Sequence, residues 1–277
     1  MKLDVRPARV EEIGPLVDVL RTTGLGANVG RLLRYPIESP TGDVLAAVAG
    51  DEVVGGAAVA GFGTTGWIGA LGVASRVRRR GIGTALTEAC VARLHELGAR
   101  TVLLFATPAG LPVYRRVGFE PDGLVHAWRD VAPPRGRVGG EGVRALVPAD
   151  LDVVCRIDRA DTGEDRAAVF HAMNGTLAGL VVERAGQVAG SAVRSPWGLG
   201  PSVVATDREA GVALLSVLRR VPGAPLTVSL PDANADAVRA LRAWGFQAIN
   251  GATRMRLGPG PRFDPTKVFG MFNLFWG

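Results

Sequence analysis

Several broad classes are excluded by what this 277-residue sequence has little of. It carries two cysteines, Cys90 and Cys155, in different halves of the chain. Two distant thiols make neither a disulfide framework nor a metal site, and they read as buried thiols in a reducing, cytoplasmic setting. No apolar run approaches the roughly 20 residues of a membrane-spanning helix, so no membrane span is expected, and the first residues lack a signal-peptide core. Aromatic residues make up only 6% of the chain, and they form no base-stacking platform interleaved with the basic residues. The net charge of +6 comes from arginine, with Lys2 and Lys267 the only lysines. Apart from Arg76 to Arg80 the arginines are scattered. This argues against nucleic acid as a partner while still favouring anionic ligands.

What is there centres on residues 71–86. An apolar strand, Trp67 to Val73, runs into a basic turn with Arg78, Arg79 and Arg80. The turn opens directly into a helix with Ile82, Leu86, Cys90, Leu94 and Leu97 on one face. A strand, a turn and a helix start in that order make an anion site, because the first N–H groups of a helix lack partners and sit at the positive end of its dipole. Gly81 and Gly83 carry no Cβ, so the backbone can come close to a diphosphate. The lysine of a P-loop is missing, and Leu86 stands where a dinucleotide fingerprint needs its third glycine. A solvated basic turn capping an ordinary helix remains the bland alternative.

Arg78-x-x-Gly81-x-Gly83 resembles the pyrophosphate loop of the GNAT superfamily of N-acetyltransferases. A second segment resembles the same family. After the strand Thr101 to Ala106, Thr107 and Gly110 lead into a short helix that carries Tyr114 four residues before Gly118-Phe119. Here the bland alternative is that Tyr114 is a half-buried helix aromatic. The two motifs occur in the family's order, and the layout resembles tandem two-domain bacterial members with a degenerate C-terminal copy.

At this length two domains are comfortable. The first reads as strand 3–6 and helix 8–22 (Val10, Ile13, Leu16, Val17 and Leu20 inward). A Gly/Pro-rich stretch follows, with a helical piece around Arg31 to Arg34. A hairpin turning at Gly50-Asp51, the two motif units and a strand from Gly118 to about Val131 complete it. A linker-like composition covers 133–142. The pattern then starts again: Val5-Arg6 matches Val143-Arg144 at an offset of 138, and Gly118-Phe119 matches Gly245-Phe246 at 127. The expected division is therefore 1–132, a catalytic domain; 133–142, a linker; and 143–277, a degenerate domain with an apolar tail. The fold implied by the resemblance is α/β (α+β), two tandem GNAT-like domains. Each is a mixed, mostly antiparallel sheet flanked by helices, and the first has a splayed central strand pair.

The second copy has lost the chemistry. Its turn, Ala205 to Gly211, is four residues shorter than the first and places Asp207 and Glu209 where a diphosphate would lie. Asp207 or Thr206 can cap the helix instead, and Leu241 stands in the place of Tyr114. The crowded apolar tail, Phe263 to Trp276, is expected to dock in a groove of its own domain.

The resemblance implies acetyl transfer from acetyl-CoA, without a metal, to a primary amine on a small molecule or peptide. Main-chain groups of Leu71 and Val73 would hold pantetheine, the Val73 N–H would polarise the thioester carbonyl, and Arg78, Arg79, Arg80, Gly81, Ile82, Gly83 and Thr84 would take the pyrophosphate. Thr107 and Gly110 complete the expected cofactor-binding set, and Tyr114 is the candidate general acid. Many relatives carry a glutamate base on the strand before the turn, and here there is none; His126 and a chain of waters are both open. A CoA-binding sensor without turnover and a basic interaction protein are the competing functions. The sequence leaves monomer and homodimer both open.

Overall fold

A computed structural model describes residues 3–134, 140–173, 178–197, 200–221 and 225–277. They form two compact units: residues up to Asp122 with Arg254–Pro259 and Trp276, and Gly123–Thr253 with Gly260–Phe275 and Gly277.

The first unit begins with β1 (Leu3–Pro7), a 3-10 turn (Val10–Glu12), α1 (Ile13–Arg21) and α2 (Val29–Glu38). Then come β2 (Gly42–Ala49), β3 (Glu52–Phe62), β4 (Thr65–Val73), α3 (Ile82–Glu96), β5 (Thr101–Ala106), α4 (Leu111–Val117) and β6 (Glu120–Arg129). β1 to β4 pair antiparallel in sequence, with the β2–β3 hairpin turning at Gly50 as expected. β5 joins β4 in parallel. Helix α1 lies close on β3 because Gly56 leaves room for Leu16; a Cβ at Gly56 would come within 2.6 Å of Leu16 Cδ1. The core gathers Leu45, Val59, Ile68, Leu86, Leu94, Leu104 and Phe119. Met255, fully buried, belongs to the same core.

Two local expectations need correction. Val10 is 89% exposed rather than inward, because residues 10–12 form a 3-10 turn and the helical period starts only at Ile13. The helical piece around Arg31 is ten residues long, with Val29, Leu32, Leu33, Tyr35 and Pro36 buried at helical spacing. Gly30 and Pro36 hide that pattern in the sequence.

The second unit contains β7 (Val143–Ala145), a 3-10 turn (Pro148–Asp150), α5 (Leu151–Thr162), α6 (Ala167–Ala172), β8 (Ala178–Arg184) and β9 (Gln187–Arg194). It continues with β10 (Pro201–Ala205), α7 (Arg208–Leu218), β11 (Thr227–Pro231), α8 (Ala235–Ala243), β12 (Gln247–Leu257) and β13 (Val268–Gly270). Its sheet runs β13-β10-β9-β8-β7, and β11 pairs with the Val125–Arg129 part of β6. Val203, Leu214, Leu215, Val228, Leu230 and Phe246 form its core.

The repeat is visible in atomic detail at the first corner of each unit. In the first, Arg6 holds Glu12 through two bonds of 2.8 and 2.7 Å, and Glu12 also accepts the Arg9 N–H at 2.7 Å. In the second, Arg144 holds Asp150 at 2.7 and 2.9 Å, and Asp150 accepts the Val147 N–H at 2.9 Å. Each guanidinium pulls its carboxyl below the usual range, Glu12 to about 2.

The compact units do not divide at the linker. β6 belongs to the first unit up to Asp122 and to the second from Gly123; β12 belongs to the second up to Thr253 and to the first from Arg254. In the strand order β12 lies between β5 and β6. Of the expected linker 133–142, residues 135–139 lie outside the described residues. The apolar tail belongs to the second unit over Gly260–Phe275, while Trp276 belongs to the first, its ring 6.2 Å from that of Tyr35.

Candidate functional site

The site is built on β4, whose course changes midway. From Thr65 to Ile68 it pairs with Thr101 to Leu104 of β5, and the ladder then stops. On the other side, pairing with β3 jumps from Ala58↔Gly69 to Gly56↔Gly72, so Ala70 and Leu71 on β4 oppose the single residue Ala57. This is a β-bulge, and Ala70 takes a positive φ of 52° to make it. A bulge bends its strand, which separates β4 from β5 beyond Ile68. The bulge was not foreseen; its flanking glycines, Gly69 and Gly72, are the signal that could have shown it.

Backbone alternation then fixes which groups face outward. Ala74 N–H donates to Val54 O on β3, so the preceding Val73 turns its N–H and C=O away from β3. The Val73 carbonyl accepts a bond from Arg78 Nε at 3.1 Å, which anchors the first arginine of the loop to the strand edge. Both Leu71 and Val73 are half-buried.

The loop turns on two residues with positive φ, Arg79 (66°) and Gly81 (81°). At Gly81, the residue before α3, any L side chain would be strained. No side chain caps α3, and its first turn holds no acid. The first helical bond is Ala85 N–H to Gly81 O, which leaves the N–H groups of Ile82, Gly83 and Thr84 ahead of it. Arg79 and Arg80 are exposed and form no ion pair among the described residues, whereas Arg76 is paired with Glu52. Uncapped amides, a dipole and unpaired guanidinium groups fit a diphosphate.

α4 lies alongside this helix start: a Cβ at Gly83 would sit 3.8 Å from Val113 Cγ1. Thr107 and Gly110 shape the entry to α4, with Gly110 N–H bonded to Thr107 O at 2.9 Å. Gly110 also makes room for Tyr114, whose ring would be 2.8 Å from a Cβ there. Tyr114 is 8% exposed and packs among Ile82, Leu86, Cys90 and Phe119. Burial, and secondarily Cys90, pushes its phenol above the usual value, so the hydroxyl stays protonated. Cys90 is also raised by burial and is inert. Cys155 is only partly buried, with its thiol pushed up to about 11. All the expected site residues thus lie on adjoining elements of the first unit. In the second unit, His126 Nδ1 lies 2.7 Å from Asp232 Oδ1.

The corresponding turn of the second unit is closed by protein. Asp207 caps α7, accepting the Ala210 N–H at 2.8 Å, and Glu209 occupies the first turn. Leu241, in the place of Tyr114, is fully buried. Among the described residues no cluster of His, Cys, Asp or Glu could hold a metal ion, and no helix is long and apolar enough to cross a membrane.

Comparison with known proteins finds a related family model in each half of the chain. The acetyltransferase (GNAT) family model matches residues 26–119, and an acetyltransferase (GNAT) domain model matches 154–270. No curated protein matches the sequence. Among solved structures, a Pyrococcus horikoshii protein classed with the acetyltransferases shares 24% identity, with 99% of this chain and 96% of that one covered and a TM-score of 0.85. A GCN5-related N-acetyltransferase from Anabaena variabilis is 16% identical over 92% of this chain and 72% of its own, with a TM-score of 0.62. A tandem GNAT protein from the clavulanic acid biosynthesis pathway is 16% identical over 94% and 99%, with a TM-score of 0.61. At these identities the likeness speaks for the fold alone. With a bulged, splayed strand and an uncapped helix in one half, a capped copy in the other, and a GNAT model on each, this chain belongs to the GNAT acetyltransferase family as a tandem two-domain member.

Proposed function

We propose that the chain is an acetyl-CoA-dependent N-acetyltransferase acting on a primary amine of a small molecule or peptide, with the first domain active. The observation that carries this reading is the start of α3: three amide N–H groups, no side-chain cap and two arginines, Arg79 and Arg80, without an ion pair among the described residues, where the second domain has Asp207. Bound acetyl-CoA supplies the acetyl thioester. The loop Arg78 to Thr84 holds its diphosphate through backbone amides and charge. The outward groups of Val73, together with the main chain of Leu71, orient the pantetheine arm as an added strand would be held, and the Val73 N–H polarises the thioester carbonyl. The amine nitrogen bonds to the thioester carbon as the C–S bond breaks, and Tyr114 donates its hydroxyl proton to the departing sulfur. The proton released by the amine passes through water to restore the phenol; the buried phenol holds its own proton across the neutral range until the sulfur departs. No thiol of the protein takes part.

The proton of the attacking amine has no carboxylate to go to on β4, which runs from Thr65 to Val73. That absence favours, as a second reading, an acetyl-CoA-binding protein without turnover. A mass-spectrometric screen of amines with acetyl-CoA, following free CoA and the acetylated product, separates the two. Release of CoA coupled to one amine class is expected; tight binding with no product from any amine would decide for the sensor.

A further inference from the structure

The internal repeat aligns β10 with β4 and β11 with β5, yet the two strand pairs are built differently. In the first unit β4 and β5 are direct parallel neighbours over four residues. In the second a third strand stands between them. β13 pairs antiparallel with β10 through Val203↔Gly270 and Val204↔Val268, with a bulge that leaves Phe269 over. On the other flank Met271 N–H donates to Ser229 O of β11 at 2.8 Å. The chain's own last strand thus bridges the pair that splays in the first unit.

The side chains finish the closure. Phe269 is 1% exposed, and its ring lies on Gly211 in the first turn of α7, so close that a Cβ there would be 2.4 Å away. Val268, Met271 and Phe272 are also buried. Flanking bonds hold the segment in register: Asn234 Nδ2 donates to Thr266 O (3.1 Å) and Val268 O (3.0 Å), Lys267 to Thr206 O, and Gly200 N–H to Phe272 O (3.1 Å).

We propose that residues 268–272 are a built-in occupant of the second domain's strand slot, a strap that takes, between β10 and β11 and against the start of α7, the place left to a ligand chain in the first domain. A splayed pair without a ligand would leave strand edges and apolar walls in water; the strap pairs the edges and covers the walls. Its occupancy is intramolecular and continuous, so the second domain is shut to an extended ligand even before Asp207 is considered. The inference rests on the proposed function only for naming that ligand as pantetheine, and its test uses no acetyl-CoA.

The test is hydrogen–deuterium exchange on the full-length chain, comparing the parent with Gly211→Ala. Alanine favours a helix over glycine, so if Phe269 did not sit on this turn the substitution would leave exchange unchanged or slower. With the strap in place the new methyl must push the ring out. Exchange in 201–205 and 227–231 should then quicken at least tenfold, while 65–73 and 101–106 keep the parent rate. Unchanged or slower exchange in 201–205 and 227–231 overturns the proposal. Should Gly211→Ala not fold, Phe269→Ala decides instead: it keeps the backbone ladder and removes the ring, and faster exchange confined to the same two strands is expected. Parent-like rates there would overturn the proposal equally.

Discussion

The two halves of this chain share a scaffold and part at the places where chemistry would happen. Both open on the same corner, an arginine six residues before a carboxylate that caps its own turn (Arg6 with Glu12, Arg144 with Asp150). Both follow with two helices and a meander whose last strand leads into a third helix. They differ at that strand-to-helix turn. The first half spends two positive-φ residues, a bulge and an uncapped helix start on it; the second satisfies the same helix with Asp207 and the same strand edge with β13. Conformational irregularity and unpaired donors are costly, and they persist where something other than the protein completes them. Protein groups can complete them instead, as Asp207 and β13 do in the second half.

The largest effect expected from pulling this comparison apart comes from cutting the halves. A fragment ending at Val131 or Ala132 would keep the whole candidate site yet lose Arg254–Pro259, including Met255 of the first core and the partner of Asp122. Losing one buried methionine costs roughly 2–5 kcal/mol, and here a whole strand goes with it. The fragment should aggregate or unfold without cooperativity, read by size-exclusion chromatography and thermal denaturation. A soluble fragment with a sharp transition would mean that the first unit needs nothing from residues 254–259.

Within the intact chain, Tyr114→Phe should have the next largest effect. It keeps the ring packed against Phe119 and removes only the hydroxyl. Loss of a positioned acid lowers kcat by about 10²–10⁴-fold while KM for acetyl-CoA hardly changes. A rate above half the parent's, with chemistry rate-limiting, would reduce Tyr114 to a core aromatic and make the two halves more alike than proposed. Gly81→Asp should weaken acetyl-CoA binding about 100-fold, from αL strain of roughly 1–2 kcal/mol together with a carboxylate facing the diphosphate. The mirror experiment is Asp207→Ala, which should cost the second unit about 1 kcal/mol as a lost cap and create no second site. Calorimetry giving one acetyl-CoA per chain in the parent and in Asp207→Ala checks both halves at once; two equivalent sites would erase the asymmetry.

Much of this asymmetry was legible in the sequence because it is local. Arg78, Gly81 and Gly83 announce an uncapped helix start, and Asp207 announces a capped one, since capping is decided within four residues. The hairpin at Gly50 and the helix of Leu86, Cys90 and Leu94 follow from period and turn chemistry in the same way. What was not legible depends on partners far along the chain. Nothing local to residues 247–257 says that the strand they form ends beside β5, some 150 residues earlier. The tail was expected to dock, yet nothing in Val268-Phe-Gly270 says that it enters between β10 and β11 rather than lying on the surface. The bulge at Ala70 fell between these cases: Gly69 and Gly72 mark an irregular strand, and only the register with β3 shows where the extra residue goes.

The smallest effect concerns pH, and it has opposite signs at Glu12 in the first half and Asp161 in the second. In the first, Arg6 holds Glu12 at about 2, so the stability this pair contributes is present above the ordinary carboxylate range and is lost as pH falls through about 2. In the second, Asp161 on α5 has a buried Oδ2 without a hydrogen-bond partner among the described residues. Burial pushes it up from 3.8 to about 6; Lys267 partly offsets this, while Asp264 and Asp158 reinforce it. The folded state then holds its proton more tightly than the unfolded chain does. That contribution is complete below about 3.8 and is lost as pH rises through about 6, so at neutral pH the ionised Asp161 destabilises its domain. Asp161→Asn cannot ionise and keeps the shape. Its Tm should exceed the parent's by about 1–3 °C at pH 7.5, a shift of the size that less than 1 kcal/mol gives in a chain of this length. The gain should fade to nothing by pH 4, where the parent's Asp161 is already protonated. Thermal melts at the two pH values check it: an equal gain at both would assign the effect to packing, and a loss at pH 7.5 would mean that the Asp161 carboxylate is held by a charge partner after all, as Glu12 is in the first half.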